Sequence, residues 1–463
     1  MYNSMFRRIV LDNFLSFNHI ELNLIGKKDM PLNHVLIYGE NGSGKTNLLS
    51  SVLFLRHTLN TIITMEDLES IDADARHGVP NDNSNVFLFL SKAIREGNMT
   101  GLQSLSRRFM LVGCREPMHL LYEFQIDGRK GSYELEFDAQ GNVTQEELRH
   151  TTGGGGTGRY FRIESSPDGP VTIFGRGILG SEFSKTVKQR IDRVWGKHTA
   201  LAIIKTEYMR NNSSFMDNLA IGGMRDVLEF LEGISIDVKR PRITTSIRNG
   251  IPFQLDRGKV RAEDGRMIDA HERALSSFFI RLYSDIKDVY YKRTNCDGDT
   301  AIEYELMIVK EIAGERREIP SLLESAGTKK LLALFPALMA CSIGGVAFID
   351  ELDSGVHDKM VHDLMMQILP CMKGQLVLTT HNTLLLETAN PANVFVLKVD
   401  RHGFKEVVSI KDIVKTQKNN NNRDRYLSGL FEGIPYIREL DLCTIASQLQ
   451  DDIGGGSWVS RTQ

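Results

Sequence analysis

The sequence predicts an α/β protein whose parallel sheet is assembled from two stretches that lie far apart along the chain. Three observations support this prediction. Residues 34–38 (HVLIY) form a continuous apolar run that leads into a glycine-rich loop and then into residues with helical spacing. Residues 346–350 (VAFID) and 375–380 (QLVLTT) are two further apolar runs with a helical pattern between them. Strands that are apolar throughout are typical of parallel sheets covered on both faces.

The composition is that of an ordinary globular protein, and it disfavours several classes. The chain has 463 residues, of which 41% are hydrophobic and 25% charged, with a formal net charge of -3. A charge this small gives no whole-molecule attraction to nucleic acid, so any such site would be local. The five cysteines are widely spaced, which argues against a disulfide scaffold or a zinc site. With no signal peptide and no apolar run long enough to span a membrane, we expect a cytoplasmic protein without a membrane partner.

The remaining elements follow in chain order. Alternating runs at residues 6–12 and 17–24 predict two short strands before the first apolar run. Residues 120–138 predict a β-hairpin in an otherwise less regular middle section. Residues 301–312 and 393–400 predict two more strands in the last third of the chain. Helical patterns occur at MRDVLEFLEGI, HERALSSFFIRLYSDI and GTKKLLALFPALMA.

The glycine-rich loop GENGSGKT matches the phosphate-binding pattern G-x-x-x-x-G-K-[ST], in the strand–loop–helix context that the pattern requires. Its glycines let backbone N–H groups converge on phosphate oxygens, and the helix that follows points its positive end at the same anion. Lys45 adds a charge for the β- and γ-phosphates, and the Thr46 hydroxyl is a ligand for Mg²⁺. The sequence therefore predicts a site for ATP and Mg²⁺. The predicted nucleotide-binding residues of the loop are Gly39, Asn41, Gly42, Ser43, Gly44, Lys45 and Thr46.

Two further elements supply the chemistry of hydrolysis. The apolar run at 346–349 delivers Asp350 and Glu351 to the carboxyl edge of the sheet, where the ligand sites of α/β proteins lie. Asp350 is the second predicted Mg²⁺ ligand, and Glu351 is the predicted general base for the attacking water. The alternative is a surface pair of carboxylates that caps a helix. His381, at the end of the next strand, is predicted to be a catalytic residue that contacts the γ-phosphate.

A second anion cradle is predicted at Ser325 and Gly327, where another helix begins. A serine, a glycine and a helix N-terminus together attract an anion. A serine that simply caps the helix would give the same pattern. Because one chain needs only one cradle for its own ATP, we expect the second to face the ATP of another subunit.

These motifs resemble those of the ABC-type ATPases of the SMC and RecF group. They are more closely similar to the OLD-like AAA ATPases of bacterial phage-defence systems of the PARIS or AbiL type. The resemblance implies an ABC-type head, two copies of which sandwich two ATP molecules, so that Ser325 and Gly327 of one copy complete the site of the other. The chain departs from the full LSGGQ signature, and His357 stands where many members of this group have an aspartate. The segments that carry the resemblance are LDNFLSF, GENGSGKT, ESAGTKK, FIDELDSGVH, TTHN and RYLSGLFEGIPYI.

The long separation of Lys45 and Asp350 predicts a split head, because a compact nucleotide-binding domain brings these residues together much sooner. The insert lacks sustained heptads, which favours a compact α+β lobe or a short helical arm over a coiled coil. The predicted units are the N-terminal half of the ATPase head (1–60), the inserted lobe or arm (61–300), the C-terminal half of the head (301–410), a C-terminal extension (411–453) and a flexible tail (454–463).

The resemblance also implies a function. It suggests a nucleotide-gated sensor or scaffold in an anti-phage, abortive-infection system, which controls a separate Toprim-type nuclease or toxin when a phage protein appears. The chain itself is not expected to be a nuclease, because no glutamate-then-DxD pattern follows His381. The alternative is a DNA-repair ATPase of the RecF or SMC kind, and DNA binding stays open. It rests on a basic stretch that either tracks phosphates or forms a solvated strand face: Lys239, Arg240, Arg242, Arg248, Arg257, Lys259 and Arg261.

Overall fold

The computed structural model describes most of the chain as strands and helices arranged in three sheets. The described residues are 4–62, 101–151, 156–175, 178–210, 223–240, 243–247, 254–296, 298, 300–413, 421–434 and 440–452. The predicted flexible tail and most of the Gly153–Gly156 run lie outside these ranges.

The strands and α-helices are numbered here in chain order. The strands of the first half are β1 (Ser4–Phe14), β2 (Phe17–Asn23), β3 (His34–Gly39), β4 (Met118–Ile126), β5 (Arg129–Phe137), β6 (Val143–Thr151), β7 (Thr157–Ser166), β8 (Gly169–Phe174) and β9 (Ile234–Arg240). Those of the second half are β10 (Ile243–Ile247), β11 (Arg257–Arg261), β12 (Ile286–Cys296), β13 (Ala301–Ile312), β14 (Glu315–Pro320), β15 (Val346–Ile349), β16 (Gln375–Thr379), β17 (Val394–Val399) and β18 (Lys405–Ser409). The helices are α1 (Lys45–Leu59), α2 (Leu102–Phe109), α3 (Ser181–Val194), α4 (Ala200–Arg210), α5 (Met224–Glu232), α6 (Gly265–Leu282), α7 (Ala326–Ser342), α8 (Asp358–Ile368), α9 (Leu385–Thr388), α10 (Ile410–Ile413), α11 (Asn422–Leu427) and α12 (Leu442–Asp452).

The central sheet has the strand order β10-β9-β15-β16-β3-β17-β18. Its five inner strands run parallel, and β10 and β18 close its two edges as antiparallel strands. β15 and β16 are buried along their whole length, as expected for apolar runs in a parallel sheet. The prediction of a split α/β head with a mixed sheet is confirmed. The carboxyl ends of β3, β15 and β16 meet at one edge of this sheet, and this edge positions the site.

A second, antiparallel sheet has the order β2-β1-β4-β5-β6-β7-β8. The predicted strands at 6–12 and 17–24 are β1 and β2, and the predicted hairpin is β4–β5. This sheet packs against α1, where the ring of Phe54 contacts those of Phe14 and Phe137. α1 therefore lies between the two sheets and contributes to a core that both share.

A buried glutamine joins the antiparallel sheet to the central one. Gln375, at the start of β16, accepts a hydrogen bond from the Phe6 N–H (2.8 Å) and donates one to the Phe6 carbonyl (2.9 Å). The Phe6 ring also packs edge-on against Phe348 of β15. Strands from the first 60 residues therefore belong to both sheets, and β9 and β10 bring part of the predicted insert into the central one. The boundaries at residues 60 and 300 stay a prediction.

A buried carboxylate organises the antiparallel lobe. Glu146 of β6 is fully buried, and its oxygens accept hydrogen bonds at the N-terminus of α4 from the backbone N–H groups of Ala200 (2.7 Å) and Leu201 (3.2 Å). It also accepts from the Trp195 indole (2.9 Å) and the Tyr133 hydroxyl (2.8 Å). Burial raises the pKa of Glu146, and these four donors oppose that rise. The carboxylate caps a helix whose first N–H groups would otherwise be unsatisfied.

The third sheet is small, with the order β11-β13-β12 and with β14 paired to β13. The predicted strand at 301–312 is β13, and α6 covers the sheet with buried Ile268, Leu275 and Phe279. α7 contains Pro336, as its sequence indicates. None of the described helices is long and apolar enough to cross a membrane.

The C-terminal extension packs against the strand that carries the glycine-rich loop. The Tyr426 ring lies edge-on to Tyr38 at 5.4 Å, and its hydroxyl donates to the Gly433 carbonyl (2.9 Å). A Cβ atom on Gly433 would lie 2.4 Å from Val396 and 3.7 Å from the Gly39 Cα. The first part of the segment RYLSGLFEGIPYI, which carries part of the family resemblance, therefore packs against β3 and supports the strand that leads into the loop.

Candidate nucleotide-binding and hydrolysis site

The glycine-rich loop has the predicted context, because β3 ends at Gly39 and α1 begins at Lys45. Gly42 and Gly44 have φ values of 80° and 116°, in the region that glycine adopts without strain. A Cβ atom on Gly44 would also lie 2.9 Å from the Phe17 ring. The path of the loop therefore depends on its glycines.

Lys45 and Ser43 are the buried polar side chains of this loop. The Lys45 ammonium donates to the carbonyls of Gly39 (2.7 Å) and Glu40 (3.0 Å). Burial lowers the pKa of Lys45, and the carboxylate of Asp350 opposes that shift most strongly. The fully buried Ser43 hydroxyl has no hydrogen-bond partner in the described part of the chain. An orphaned hydroxyl and a buried cation in one loop fit an anionic ligand, while Asn41 lies exposed at the loop tip.

The two predicted Mg²⁺ ligands are in direct contact, although they lie 304 residues apart in sequence. The Thr46 hydroxyl donates to one oxygen of Asp350 at 2.7 Å, and the Thr379 hydroxyl donates to the other at 2.6 Å. Burial raises the pKa of Asp350, and both hydrogen bonds oppose that rise. A hydroxyl and a carboxylate fit Mg²⁺, which favours hard oxygen ligands and takes the rest from phosphates and water.

Thr379 is a site residue that the sequence analysis did not single out. It is fully buried at the end of β16, and its hydroxyl also accepts a hydrogen bond from the Glu351 N–H at 2.8 Å. One side chain therefore holds both the predicted metal ligand and the backbone of the predicted general base. Its place immediately before the Thr380-His381 pair was the available signal.

Glu351 has an unusual backbone conformation, with a φ of 49°. A non-glycine residue in this region carries strain on the order of 1–3 kcal/mol, which persists only when the surroundings enforce it. The hydrogen bond to Thr379 is one such constraint. Strain of this kind is concentrated at functional sites, which supports the predicted role of Glu351.

His381 lies exposed at the same edge, and its backbone N–H donates to the Asp353 carboxylate at 3.0 Å. Desolvation of the ring lowers the pKa of His381, as does the nearby Lys45, whereas Asp353 opposes the shift. These effects favour the neutral imidazole, in which one ring nitrogen is a donor and the other an acceptor. Asp353 was not predicted, and its other oxygen is buried without a hydrogen-bond partner among the described residues.

A second unpredicted acidic residue lies on the neighbouring strand. The Asp237 carbonyl on β9 accepts a hydrogen bond from the Asp350 N–H at 2.8 Å. The Asp237 carboxylate forms an ion pair with Lys330 of α7 at 2.9 Å, and both side chains are largely buried. This pair ties the helix that follows Ser325 to the strand beside the predicted metal ligand.

Ser325 and Gly327 have structural roles within their own chain. The Ser325 hydroxyl accepts a hydrogen bond from the Thr328 N–H at 3.2 Å and so caps α7, as the alternative interpretation held. A Cβ atom on Gly327 would lie 2.7 Å from the Gly355 carbonyl. Within the described residues, the hydrogen bonds of Ser325 do not reach Lys45 or Asp350. Binding of a second subunit's ATP stays a prediction for both residues.

Most of the chain matches one protein family. Residues 35–387 match the family described as an AAA domain, putative AbiEii toxin, type IV TA system. The chain belongs to this AAA family. Membership of this family supports ATP hydrolysis as the activity of the chain. The roles of the loop, Asp350 and Glu351 in that reaction stay predictions. No curated protein matches the chain.

Solved structures similar to this AAA ATPase include SMC head domains and a recombination mediator protein. The SMC head domain from Thermotoga maritima is 14% identical, with a TM-score of 0.38, covering 88% of this chain and 98% of that one. An Smc head from Pyrococcus furiosus, bound to the C-terminal domain of ScpA, is 15% identical, with a TM-score of 0.40 and coverages of 89% and 98%. The recombination mediator RecF with ATP is 14% identical, with a TM-score of 0.35 and coverages of 88% and 100%. At these TM-scores the similarities carry no argument about function.

Proposed function

We propose that this AAA ATPase is a nucleotide-gated switch, in which ATP joins two copies of the chain and hydrolysis lets them separate. The observation that carries the proposal is the division of the anion-binding elements within one chain. Lys45, Thr46 and Asp350 are gathered at one sheet edge, whereas Ser325 is engaged elsewhere at the start of α7.

Each residue at the sheet edge has a proposed role in hydrolysis. Bound Mg²⁺–ATP would supply the scissile phosphate and the charge of the metal. Lys45 binds the β- and γ-phosphate oxygens, and Thr46 and Asp350 hold the metal. Glu351 accepts the proton of the attacking water, with its backbone fixed by Thr379. Ser325 and Gly327 of a second copy complete the site, and ATP stabilises the pair by mass action until it is hydrolysed.

We further propose that this switch acts in bacterial defence against phage, as the sensor and scaffold that controls a separate Toprim-type nuclease or toxin. A phage protein would be the trigger, and the chain itself would cut no nucleic acid. Two observations support this role. The matched family is described as a putative toxin of a type IV TA system, and the sequence motifs resemble those of defence ATPases. Both supports are analogies of family, not of site chemistry.

The switch is tested with Glu351→Gln, which removes the general base and leaves the binding residues in place. With Mg²⁺ and ATP, this variant is expected to accumulate as a stable dimer in size-exclusion chromatography with light scattering. Lys45→Ala is the control, because it lacks the phosphate charge and is expected to stay monomeric. If Glu351→Gln stays monomeric with ATP and hydrolyses it like the wild type, two-headed binding is wrong.

The defence role is tested in cells that carry the native gene with its neighbours. Phage plating efficiency is compared between the wild-type operon and operons with Lys45→Ala or Glu351→Gln. Protection is expected to fail with Lys45→Ala, which cannot hold ATP, and protein levels measured by immunoblotting control for expression. Equal plating on all three strains and on an empty vector would exclude the role.

DNA binding is the second candidate function, and the described part of the basic stretch disfavours it. Arg257 and Lys259 of β11 stand opposite Glu305 and Glu303 of β13, and Arg261 forms ion pairs with acidic neighbours. Local acidic charge therefore offsets these three cations. The side chains of Lys239, Arg240, Arg242 and Arg248 lie outside the described residues. The test measures the anisotropy of labelled duplex DNA at two salt concentrations, with the wild type and with a variant in which all seven basic positions are neutralised. Phosphate contacts weaken steeply with salt, so salt-dependent binding that the variant loses would favour DNA binding.

A further inference from the structure

A second lysine lies against the glycine-rich loop and belongs to none of the motifs. Lys405 is the first residue of β18, the edge strand of the central sheet. Its ammonium is 2.9 Å from the Ser16 hydroxyl and 3.4 Å from the Gly42 carbonyl. It also lies 5.6 Å from the centre of the Phe17 ring, within reach of a cation–π contact.

The charge of Lys405 has no close counter-ion. Burial lowers the pKa of Lys405, and only Glu40 opposes that shift. In the described chain, no carboxylate lies within ion-pair distance of the Lys405 ammonium, whereas Lys330 and Lys398 each have one. A half-buried cation without an opposite charge is costly. Beside a loop that binds anions, such a cation favours an anionic ligand.

The contacts around Lys405 fix its position relative to both ends of the loop. Ser16 also accepts a hydrogen bond from the Asn47 side chain at 2.7 Å, in the first turn of α1. The Phe17 ring packs against Gly44, where a Cβ atom would clash with it. Lys405 is thereby held between Gly42 and the start of α1, where the backbone N–H groups point at phosphate.

We propose that Lys405 is a second phosphate-binding lysine of the ATP site. In the sheet order, β15 and β16 lie on one side of β3, and β17 and β18 lie on the other. Lys405 and Asp350 therefore reach the loop from opposite sides. The Lys405 ammonium exchanges its long contact with the Gly42 carbonyl for a phosphate oxygen and keeps its contact with Ser16. This inference rests on the proposed ATP-dependent function and adds a ligand to the same site.

The other side of Lys405 borders a cavity of about 370 Å³ between β2 and β18. Three acidic residues, Glu21, Glu406 and Asp412, line this cavity with two lysines, Lys405 and Lys411, so it carries no excess of positive charge and the phosphate chain is expected on the loop side. Lys411 lines the same cavity, is exposed, and makes no hydrogen bond to the loop within the described residues. It is therefore a matched control with the same charge in the same region.

The test compares Lys405→Met, Lys405→Arg and Lys411→Met in the full-length chain. Dissociation constants for Mg²⁺–ATP and for inorganic triphosphate are measured by isothermal titration calorimetry, together with steady-state ATP hydrolysis. Lys405→Met keeps the apolar stem and is expected to weaken both ligands on the order of tenfold to a hundredfold. KM is expected to rise with little change in kcat, as for binding that is equal in ground and transition states. Lys405→Arg is expected to retain most of the affinity, and Lys411→Met to match the wild type.

Three results would overturn the proposal. The first is wild-type affinity of Lys405→Met for both ligands. The second is weaker binding of ATP with unchanged binding of triphosphate, which would place Lys405 at the nucleoside instead. The third is equal loss in Lys405→Met and Lys405→Arg with lower thermal stability of the ligand-free protein, which would make the lysine a support of the loop. Dimerisation of Glu351→Gln with ATP tests the switch separately, so the two ideas can fail independently.

Discussion

Replacing Thr379 with valine removes one hydroxyl from the centre of the site and keeps the shape of the side chain. That hydroxyl donates to Asp350 at 2.6 Å and accepts from the Glu351 N–H at 2.8 Å. Thr379 is fully buried, so water is not expected to replace either hydrogen bond. The variant therefore leaves one carboxylate oxygen and one backbone donor unsatisfied.

The magnitude follows from these two lost hydrogen bonds. A hydrogen bond to a charged group contributes about 1.5–3 kcal/mol, and a buried unsatisfied N–H costs about 1–3 kcal/mol, so together we expect a loss of about 2.5–6 kcal/mol in the free energy of unfolding. The hydrogen bond from Thr379 also lowers the pKa of Asp350, which burial raises. Without it, the pKa of Asp350 rises further, and the ionised form that binds Mg²⁺ is lost at higher pH. Metal affinity or activity is expected to fall roughly 10–100-fold, as for other groups that orient a metal ligand.

The assay is steady-state ATP hydrolysis as a function of Mg²⁺ concentration and pH, with urea unfolding in parallel. Thr380→Val is the matched control, because Thr380 is the next residue, is equally buried, and accepts a hydrogen bond from the Asn382 N–H instead. The control is expected to lose stability while its dependence on Mg²⁺ stays that of the wild type. The acidic limb of the Thr379→Val pH profile is expected at higher pH. If both variants show the same Mg²⁺ dependence and the same acidic limb, Thr379 does not orient Asp350.

Two further predictions concern the antiparallel lobe. The hydrogen bonds of His119 to Glu134 and Asp12 raise the pKa of His119 to about 9. The contribution of the protonated His119 ring to the free energy of unfolding is therefore complete below pH 6.5 and disappears as the pH rises through 9. His119→Gln is expected to reduce the free energy of unfolding by about 2–3 kcal/mol at pH 6, and the difference from the wild type is expected to shrink by pH 10 in urea titrations. Glu146→Gln replaces one accepting oxygen by an amide N–H₂, and of the four groups around it only the Tyr133 hydroxyl can also accept, so a loss of about 2–4 kcal/mol is expected in the same assay.

Each of these predictions has an outcome that would contradict it. A difference between His119→Gln and the wild type that stays constant from pH 6 to pH 10 would show that the imidazolium does not stabilise the sheet. Glu164→Gln, on the neighbouring strand β7, is the control for Glu146→Gln, because the Glu164 side chain is 47% exposed. Equal stability of these two glutamine variants would mean that the buried cap is dispensable.

The parts of the site that the sequence predicts are those encoded by short, contiguous segments. In the segments around Lys45 and Asp350, a strand, the turn that follows it and the polar residues of the site lie within about ten residues of each other. Local sequence patterns were therefore sufficient to predict them. Thr46 and Asp350 were each predicted as Mg²⁺ ligands, and they meet because β3, which leads into the loop before Thr46, and β15, which ends just before Asp350, have their carboxyl ends at one edge of the parallel sheet.

The parts that were missed depend on pairings between distant segments. β9 reads ISIDVKR, an alternating pattern typical of an antiparallel strand, yet it pairs in parallel with β15. The role of Asp237 follows from that pairing alone. Glu146 lies in the polar run VTQEELRHT, in which nothing distinguishes the buried carboxylate from its neighbours. For Ser325 the sequence could not distinguish two roles, because a helix cap and an anion-binding site use the same residue types at the start of a helix.

The position of β3 in the sheet has a consequence for how the protein is made. β3 leaves the ribosome long before its neighbours β16 and β17, and the Tyr38 hydroxyl donates a hydrogen bond to a carbonyl 344 residues further on. At a synthesis rate of about 5–20 residues per second, this partner emerges roughly 20–70 s later. Such high contact order slows folding and leaves the nascent apolar strand in need of chaperones. The sheet edge that carries the predicted ATP site can therefore assemble only after the strands that flank β3 have been made, so a chain that ends before them cannot act as the proposed switch.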